Sequence, residues 1–257
     1  MLLSFYNLTV SLKTDGRRIL DDVSLKIYPG EIVALVGGSG SGKTTVGMAA
    51  MRLLSSALAI DGGQVLWKGE DIAGFTPREM RRLRGGEMSM IFQEPLNAFN
   101  PLLRIRHQID EVLRGHSDFP KPQRYGQISR VLELAGVTDP QRVMMSYPHQ
   151  LSGGLRQRAM IAQALAAEPK LIIADEPTSS VDVTTQARIA DVFRHLRHRL
   201  NLSILLITHD LGLVRHLADR VYVLNQGRLV ESGQVTEVLG APQHAYTRSL
   251  IQAADAS

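Results

Sequence analysis

The sequence contains no cysteine among its 257 residues. Disulfide bonds, thiolate metal sites and iron–sulfur clusters are therefore excluded, because each of them needs cysteine sulfur. This absence agrees with a reducing compartment without proving one. The net charge of +4 suits anionic ligands or an anionic membrane surface, and it is equally ordinary in a soluble enzyme.

Long hydrophobic runs are also lacking. No apolar run approaches the roughly 18 to 20 residues that a helix needs to cross a bilayer. The N-terminal segment has no charged leader followed by an apolar stretch and a small-residue cleavage site, so we expect no export signal. The chain is therefore expected in the cytoplasm unless a partner holds it at a membrane.

Short apolar runs alternate with segments of helical spacing, which predicts an α/β fold. Continuous apolar strands, typical of a buried parallel sheet, are predicted at 171–174 and 204–207, and a hairpin turn at 225–227. Between 101 and 136 one helical stripe contains Leu102, Ile105, Ile109 and Val112, and a second contains Ile128, Val131, Leu132 and Ala135, with a loop predicted at 116–126. We therefore expect a small helical subdomain inserted into an α/β core.

A glycine-rich segment follows the apolar run from Ile32 to Val36. It consists of Gly37, Gly38, Ser39, Gly40, Ser41, Gly42, Lys43 and Thr44, and a helix-compatible stretch begins at Thr45. Glycine lets backbone N–H groups converge on phosphate oxygens, and the positive end of the helix points to the same place. Lys43 is expected to reach the β- and γ-phosphates and Thr44 to hold Mg²⁺. The alternative is a flexible Gly/Ser linker, but the flanking strand and helix favour a nucleotide site.

Two carboxylates, Asp175 and Glu176, stand at the carboxyl end of a predicted buried strand, where open α/β sheets bind ligands. We expect Asp175 to hold Mg²⁺ and Glu176 to act as general base on the attacking water. Taken alone, the pair could equally be solvated loop residues. A second helix begins after Ser152, Gly153 and Gly154, where Ser152 could simply cap the helix or leave bare N–H groups for an anion.

Six motifs in order resemble those of the ABC transporter ATPases. They are Gly37 to Thr44 (Walker A), Gln93 (Q-loop), Leu151 to Gln157 (signature), Asp175-Glu176 (Walker B), Ser179 to Asp182 (D-loop) and His209 (switch histidine). The resemblance implies one ABC-type P-loop ATPase domain over residues 1–257. It also implies a RecA-like core, an N-terminal antiparallel β-subdomain and an inserted helical subdomain at about 94–165.

The same resemblance implies an ATP and Mg²⁺ site shared between two chains packed head to tail. In it, Thr44, Gln93 and Asp175 hold Mg²⁺, and His209 contacts the γ-phosphate. The catalytic residues would be Glu176, His209 and Gln93. The ATP bound by one chain would also touch Ser152, Gly153, Gly154 and Asp182 of the other chain.

Further segments resemble the peptide/nickel importer branch of this family, in which this chain looks like the first of two non-identical ATPases. They are 91–101, 147–150, 173–178 and 242–250. The short C-terminus without a cysteine cluster is similar to the nickel-import subunit, so uptake of nickel or a metal chelate is expected, with di- or oligopeptide import as the alternative. A soluble ABC ATPase outside transport is a further alternative.

The implied partners are a second ATPase subunit, two membrane permease subunits and, indirectly, an extracytoplasmic solute-binding protein, with no nucleic acid. The chain would then lie on the cytoplasmic face of the inner membrane. Two departures from the family pattern stand out. Leu12 to Thr14 occupy the region of the aromatic that commonly stacks on adenine, and Ser180-Val181 replace the usual Ala-Leu of the D-loop. We assign no metal role to His195 and His198, because they lie among arginines and provide too few ligands.

Overall fold

The computed structural model of the protein describes residues 1–93, 98–179 and 181–255. The chain divides into two compact units, one formed by Met1–Met80 with Ser203–Ser257 and the other by Arg81–Leu202. The predicted start of the helical subdomain at 94 and the D-loop residue Ser180 lie outside the described residues. The bounds of that subdomain and the single-domain assignment stay predictions.

The first unit contains an antiparallel sheet with the strand order β2-β1-β4-β5. Its strands are β1 (Leu3–Leu12), β2 (Arg18–Ile27), β4 (Leu58–Trp67) and β5 (Glu70–Asp71). The inward-facing residues Phe5, Leu8 and Val10 of β1 are fully buried. The predicted N-terminal antiparallel β-structure is therefore confirmed.

The first unit also contributes four strands to a second sheet, in the order β10-β9-β3-β8. They are β3 (Ile32–Val36), β8 (Ser203–Thr208), β9 (Arg220–Asn225) and β10 (Arg228–Gln234). Strand β3 pairs in parallel with both β8 and β9, whereas β10 is antiparallel to β9. The carboxyl ends of β3, β8 and β9 therefore lie at one edge of the sheet.

The predicted hairpin at 225–227 joins β9 to β10. Its residues Gln226 and Gly227 both have positive φ, 47° and 79°, which matches the twist of two-residue hairpin turns. The helices of this unit are α1 (Lys43–Ala50), α8 (Leu211–Leu217), α9 (Val235–Gly240) and α10 (Ala245–Asp255), and α2 (Pro77–Arg82) leads into the second unit.

The second unit pairs two parallel strands, β6 (Met88–Ile91) and β7 (Leu171–Asp175). Its helices are α3 (Ile105–His116), α4 (Lys121–Leu134), α5 (Pro140–Met145), α6 (Gly153–Leu165) and α7 (Val183–Leu200). All five residues of β7 are buried, as the apolar run predicts. Both units together give the α/β fold expected from the sequence.

One of the two predicted helical stripes is wrong in part. Leu102 is 81 % exposed and precedes helix α3, and the buried stripe of α3 runs through Ile105, Ile109 and Leu113 rather than Val112. The other stripe, from Ile128 to Ala135, is buried as predicted. The predicted loop at 116–126 is also too long, because α4 begins at Lys121. Pro122 is accepted in the first turn of α4, where no intrahelical N–H bond is lost.

Among the described residues, no helix combines the length and the apolar character needed to cross a membrane.

Candidate nucleotide site

The glycine-rich loop leaves strand β3 at Gly37 and enters helix α1 at Lys43. A Cβ on Gly37 would lie 2.1 Å from the backbone oxygen of Leu224, so no side chain fits there. Gly42 has φ +104°, and a Cβ on it would lie 2.7 Å from Leu20 Cδ2. Both positions therefore require glycine. A loop packed this closely on its neighbours is not a flexible linker.

The mouth of this loop suits an anion. Helix α1 begins after Gly42 with no side-chain cap and no acidic residue in its first turn, so its positive dipole end is not neutralised locally. Ser41 Oγ is buried and has no hydrogen-bond partner within the described chain. A phosphate oxygen would supply the missing acceptor for these groups.

Lys43 is buried, and its Nζ donates to the backbone oxygens of Gly37 at 2.8 Å and Gly38 at 3.0 Å. The ammonium group thus lies across the loop that it is expected to serve. Thr44 is exposed on the same first turn, and Thr45 is partly exposed beside it. The exposed hydroxyl of Thr44 fits the hard, oxygen-preferring Mg²⁺ ion.

The structure brings His209 to the same sheet edge as the loop. Val36, the last residue of β3, pairs with Thr208, the last residue of β8. Gly37 and His209 therefore follow neighbouring parallel strands at the same level. The side chain of His209 is exposed, so the predicted switch histidine lies at the edge where the phosphate loop begins.

The predicted magnesium and base residues of the second unit also share a sheet edge. Ile91 at the end of β6 pairs with Ala174 of β7. Gln93 follows β6 with an exposed side chain, while Asp175 is buried at 4 % exposure and ends β7. An amide oxygen and a buried carboxylate are ligands of the kind that Mg²⁺ prefers.

Glu176 has a left-handed backbone, with φ +48°. That conformation is uncommon for a residue with a long side chain and costs free energy unless the surrounding structure imposes it. Here the turn that follows holds it, since Ser179 donates to the Glu176 backbone oxygen from both its N–H, at 3.2 Å, and its Oγ, at 3.0 Å. Strained residues cluster at functional sites, which is consistent with the role predicted for Glu176.

Ser152 caps helix α6, because its Oγ accepts a hydrogen bond from Leu155 N at 3.4 Å. The capping interpretation is therefore correct at this position. The serine side chain is nevertheless exposed, Gly153 and Gly154 are partly exposed, and the first turn has no acidic residue. The N-terminus of α6 thus remains accessible to an anion from outside the unit.

Thr185 links the D-loop to the signature segment, and the sequence analysis missed it. Asp182 caps helix α7 by accepting hydrogen bonds from Thr185 N at 3.0 Å and Thr185 Oγ1 at 2.8 Å. These backbone and side-chain hydrogen bonds from Thr185 lower the pKa of Asp182. The Thr185 methyl group in turn packs against Gly154. An Asp directly before a helical segment is the N-cap signal that could have indicated the hydrogen bond from Thr185 N.

Two further features singled out from the sequence are the histidine pair of α7 and the segment that begins at Leu12. His195 and His198 are exposed on α7, and within the described ranges no cluster of three or more metal-binding side chains of the His, Asp and Glu type occurs. Leu12 ends β1 half-buried, its N–H donating to Arg17 O at 2.9 Å. Weaker recognition of adenine by the segment from Leu12 to Thr14 stays a prediction.

The family model described as "ABC transporter" matches residues 20–179. The chain is 44 % identical over 255 residues to the peptidoglycan transport ATP-binding protein YejF of Agrobacterium fabrum, covering 98 % of this chain and 47 % of that protein. It is 43 % identical over 253 residues to the oligopeptide transport ATP-binding protein OppD of Lactococcus lactis subsp. cremoris, covering 98 % of this chain and 75 % of that one.

The chain thus spans about half the length of the Agrobacterium relative. A solved structure with the same fold is a dimeric, post-hydrolysis state of the ATP-binding cassette MJ0796 bound to ADP and Pi. It has a TM-score of 0.80 and 26 % sequence identity, and the match covers 91 % of this chain and 99 % of that one.

Proposed function

Because this chain belongs to the ABC transporter family and is an ABC-type ATPase, we propose that it drives the uptake of short peptides through separate membrane subunits. The observation that carries the proposal is the 43 % sequence identity to an oligopeptide transport ATP-binding protein, over an alignment that covers 98 % of this chain. The phosphate loop, with Lys43 across its mouth, supplies the matching chemistry.

ATP binding is assigned to residues 37–45. Their backbone N–H groups and Lys43 neutralise the triphosphate, and the bare N-terminus of α1 adds its dipole. Thr44, Gln93 and Asp175 are the residues that would hold Mg²⁺. When bound, this ion neutralises charge on the β- and γ-phosphates.

Hydrolysis is assigned to Glu176, Gln93 and His209. Glu176 takes a proton from the attacking water. The oxygen of that water bonds to the γ-phosphorus, and the bond between the γ-phosphorus and the bridging oxygen of the β-phosphate breaks. Gln93 orients the water, and His209 donates a hydrogen bond to the charge on the γ-phosphate. Glu176 directly follows the last residue of β7, and its left-handed backbone supports a functional role at this position.

A second ATPase subunit is part of the proposal. Ser152, Gly153, Gly154 and Asp182 would contact the ATP held by that subunit, and this chain's loop would in turn receive the partner's signature helix. The N-terminus of α6 is exposed and has no acidic residue in its first turn, which supports this arrangement. Two permease subunits, and a solute-binding protein outside the membrane, complete the assembly at the cytoplasmic face of the membrane.

Peptides are favoured over nickel as the transported solute. The resemblance stated from the sequence alone favours nickel, but the two relatives reported above are named for oligopeptide and peptidoglycan transport. Each relative aligns with 98 % of this chain, so their names outweigh the resemblance to the nickel-import subunit. Peptide import, which is the alternative expected from the sequence alone, is therefore the main proposal.

The test is reconstitution of the complete complex in proteoliposomes, with Mg²⁺-ATP inside and the solute-binding protein outside. Oligopeptides, peptidoglycan fragments and Ni²⁺ are supplied separately outside. We expect ATP-dependent accumulation of oligopeptides and no accumulation of Ni²⁺. Accumulation of Ni²⁺ alone would restore the nickel hypothesis, and purification of the chain without any polytopic membrane protein would favour a soluble ATPase.

A further inference from the structure

The C-terminal helix α10 contacts the phosphate loop directly. The hydroxyl of Tyr246 accepts a hydrogen bond from the backbone N–H of Gly38 at 2.8 Å. Its ring packs against a buried apolar cluster that includes Val36, the residue before the loop, and Val223 of β9. The contact joins residues that are 208 positions apart in the sequence.

The position of Tyr246 is itself fixed by β10. Glu231 accepts hydrogen bonds from Gln243 N at 2.7 Å and His244 N at 3.1 Å, just before α10 begins. His244 Nδ1 then accepts from Tyr246 N at 3.1 Å. Arg248 donates to two backbone oxygens of the same turn, those of Pro242 and Gln243. These hydrogen bonds fix the start of α10 and therefore the position of Tyr246.

Both polar groups of the Gly38 backbone are engaged. Its N–H is bound by Tyr246, while its carbonyl oxygen accepts from Lys43 Nζ at 3.0 Å and from Ser41 N at 3.3 Å. A contact that fixes the orientation of Gly38 therefore also fixes the carbonyl on which Lys43 rests. The line of contacts runs from Tyr246 through Gly38 to Lys43.

We propose that Tyr246 is a positioning residue for ATP binding, which sets the Gly38 backbone and through it the placement of Lys43. This inference rests on the proposed function of the loop as the ATP site. It assigns no ligand to Tyr246 itself. The hydroxyl contributes this hydrogen bond, whereas the ring contributes packing. The two contributions can therefore be separated by Tyr246→Phe, which removes the hydroxyl alone.

A matched control lies in the same unit. The hydroxyl of Tyr222 accepts a hydrogen bond from the backbone N–H of Lys26 at 3.1 Å and a second one from Arg220 Nη2 at 2.7 Å, and Tyr222 is buried. Neither Tyr222 nor Lys26 belongs to the phosphate loop. Tyr222→Phe therefore removes at least as much hydrogen bonding from the fold as Tyr246→Phe does, without touching Gly38.

The experiment measures Mg²⁺-ATP affinity by calorimetry on the full chain, for the wild type and both variants. Loss of one neutral hydrogen bond corresponds to about a 2- to 10-fold weaker Kd. We expect that loss for Tyr246→Phe and an unchanged Kd for Tyr222→Phe. An unchanged Kd for Tyr246→Phe, or an equal loss in both variants, would overturn the proposal.

Hydrogen exchange at the Gly38 amide gives a second measurement that does not depend on ATP. In the wild type this amide should be protected, and in Tyr246→Phe it should exchange faster while the Lys26 amide does not change. Equal exchange at Gly38 in both proteins would overturn the contact itself. If the wild type binds no ATP at all, the proposed function fails, whereas ATP binding that is insensitive to Tyr246→Phe overturns only this inference.

Discussion

The Thr185 methyl group lies 2.9 Å from the position that a Cβ on Gly154 would occupy. The second glycine of the signature segment is thus required by the start of helix α7, and not only by a ligand. This contact makes a rescue experiment possible. In Gly154→Ala the new methyl group must push Thr185 away, and the N-terminus of α6 shifts with it.

We expect Gly154→Ala to lower the ATPase activity of the assembled complex while this chain still binds ATP as an isolated subunit. Thr185→Ser removes the obstructing methyl group and keeps the hydroxyl that donates to Asp182. The double variant should therefore recover much of the lost activity. Steady-state hydrolysis by the four proteins checks this, and additive losses in the double variant would contradict it.

Glu176→Gln should stop turnover and preserve ATP binding. The amide keeps the size of the side chain and loses its basicity, and loss of a general base typically costs about 10² to 10⁴ in rate. The measurement is phosphate release by the complex together with calorimetric ATP binding. Glu133→Gln, on the exposed face of α4, serves as the control. Near-wild-type hydrolysis by Glu176→Gln would refute the assignment.

Lys43→Ala should weaken ATP binding to the isolated chain, since it removes a positive charge from a polyanionic site. A charge-assisted hydrogen bond of about 1.5 to 3 kcal/mol corresponds to roughly a 10- to 150-fold weaker Kd. Lys170→Ala is a suitable control. Lys170 lies just before β7, and its Nζ forms an exposed ion pair with Glu87 Oε1 at 3.1 Å. Equal affinities of the two variants would argue against the loop as the phosphate site.

Poor discrimination between ATP and GTP is expected because no aromatic ring occupies the region of Leu12. A base–aromatic stack is worth about 1 to 3 kcal/mol. Leu12→Tyr should therefore tighten nucleotide binding. Competition of GTP against a fluorescent ATP analogue tests the wild type, and strong preference for ATP would mean that another side chain covers the base.

Attachment of α10 to β10 should weaken in acid. Burial raises the pKa of Glu231, but the hydrogen bonds that its carboxylate accepts from the N–H groups of Gln243 and His244 help to outweigh burial, so the pKa lies below its ordinary value of 4.5. A carboxyl with a lowered pKa stabilises the fold fully above its unfolded-state value and loses that contribution as pH falls through the folded-state value.

Glu231→Gln removes this titration, so the difference in melting temperature between wild type and variant should be constant near neutral pH. It should narrow as the pH falls below about 4.5. Thermal unfolding followed by circular dichroism across this range provides the measurement. A difference that stays constant down to low pH would show that the glutamate does not hold α10.

Local patterns predicted much of the fold and of the site. The loop from Gly37 to Thr44 could be identified because its glycines, lysine and flanking strand are adjacent in the sequence. The contact between Tyr246 and Gly38 could not, because it depends on how distant segments pack. The stripe error on α3 has a similar cause, since helical spacing alone does not say whether Leu102 or Leu113 belongs to the buried face.

The phosphate loop is assembled from late parts of the chain as well as early ones. Gly227 N donates to Ser41 O at 3.0 Å, the backbone of Leu224 packs on Gly37, and Tyr246 binds Gly38. During synthesis the loop emerges long before these partners, and contacts between distant segments form slowly. A nascent chain that ends before β9 therefore carries the complete Walker A motif and still lacks the surroundings that shape it, so we expect full nucleotide affinity only after β9 and the segments that follow it have folded onto the loop.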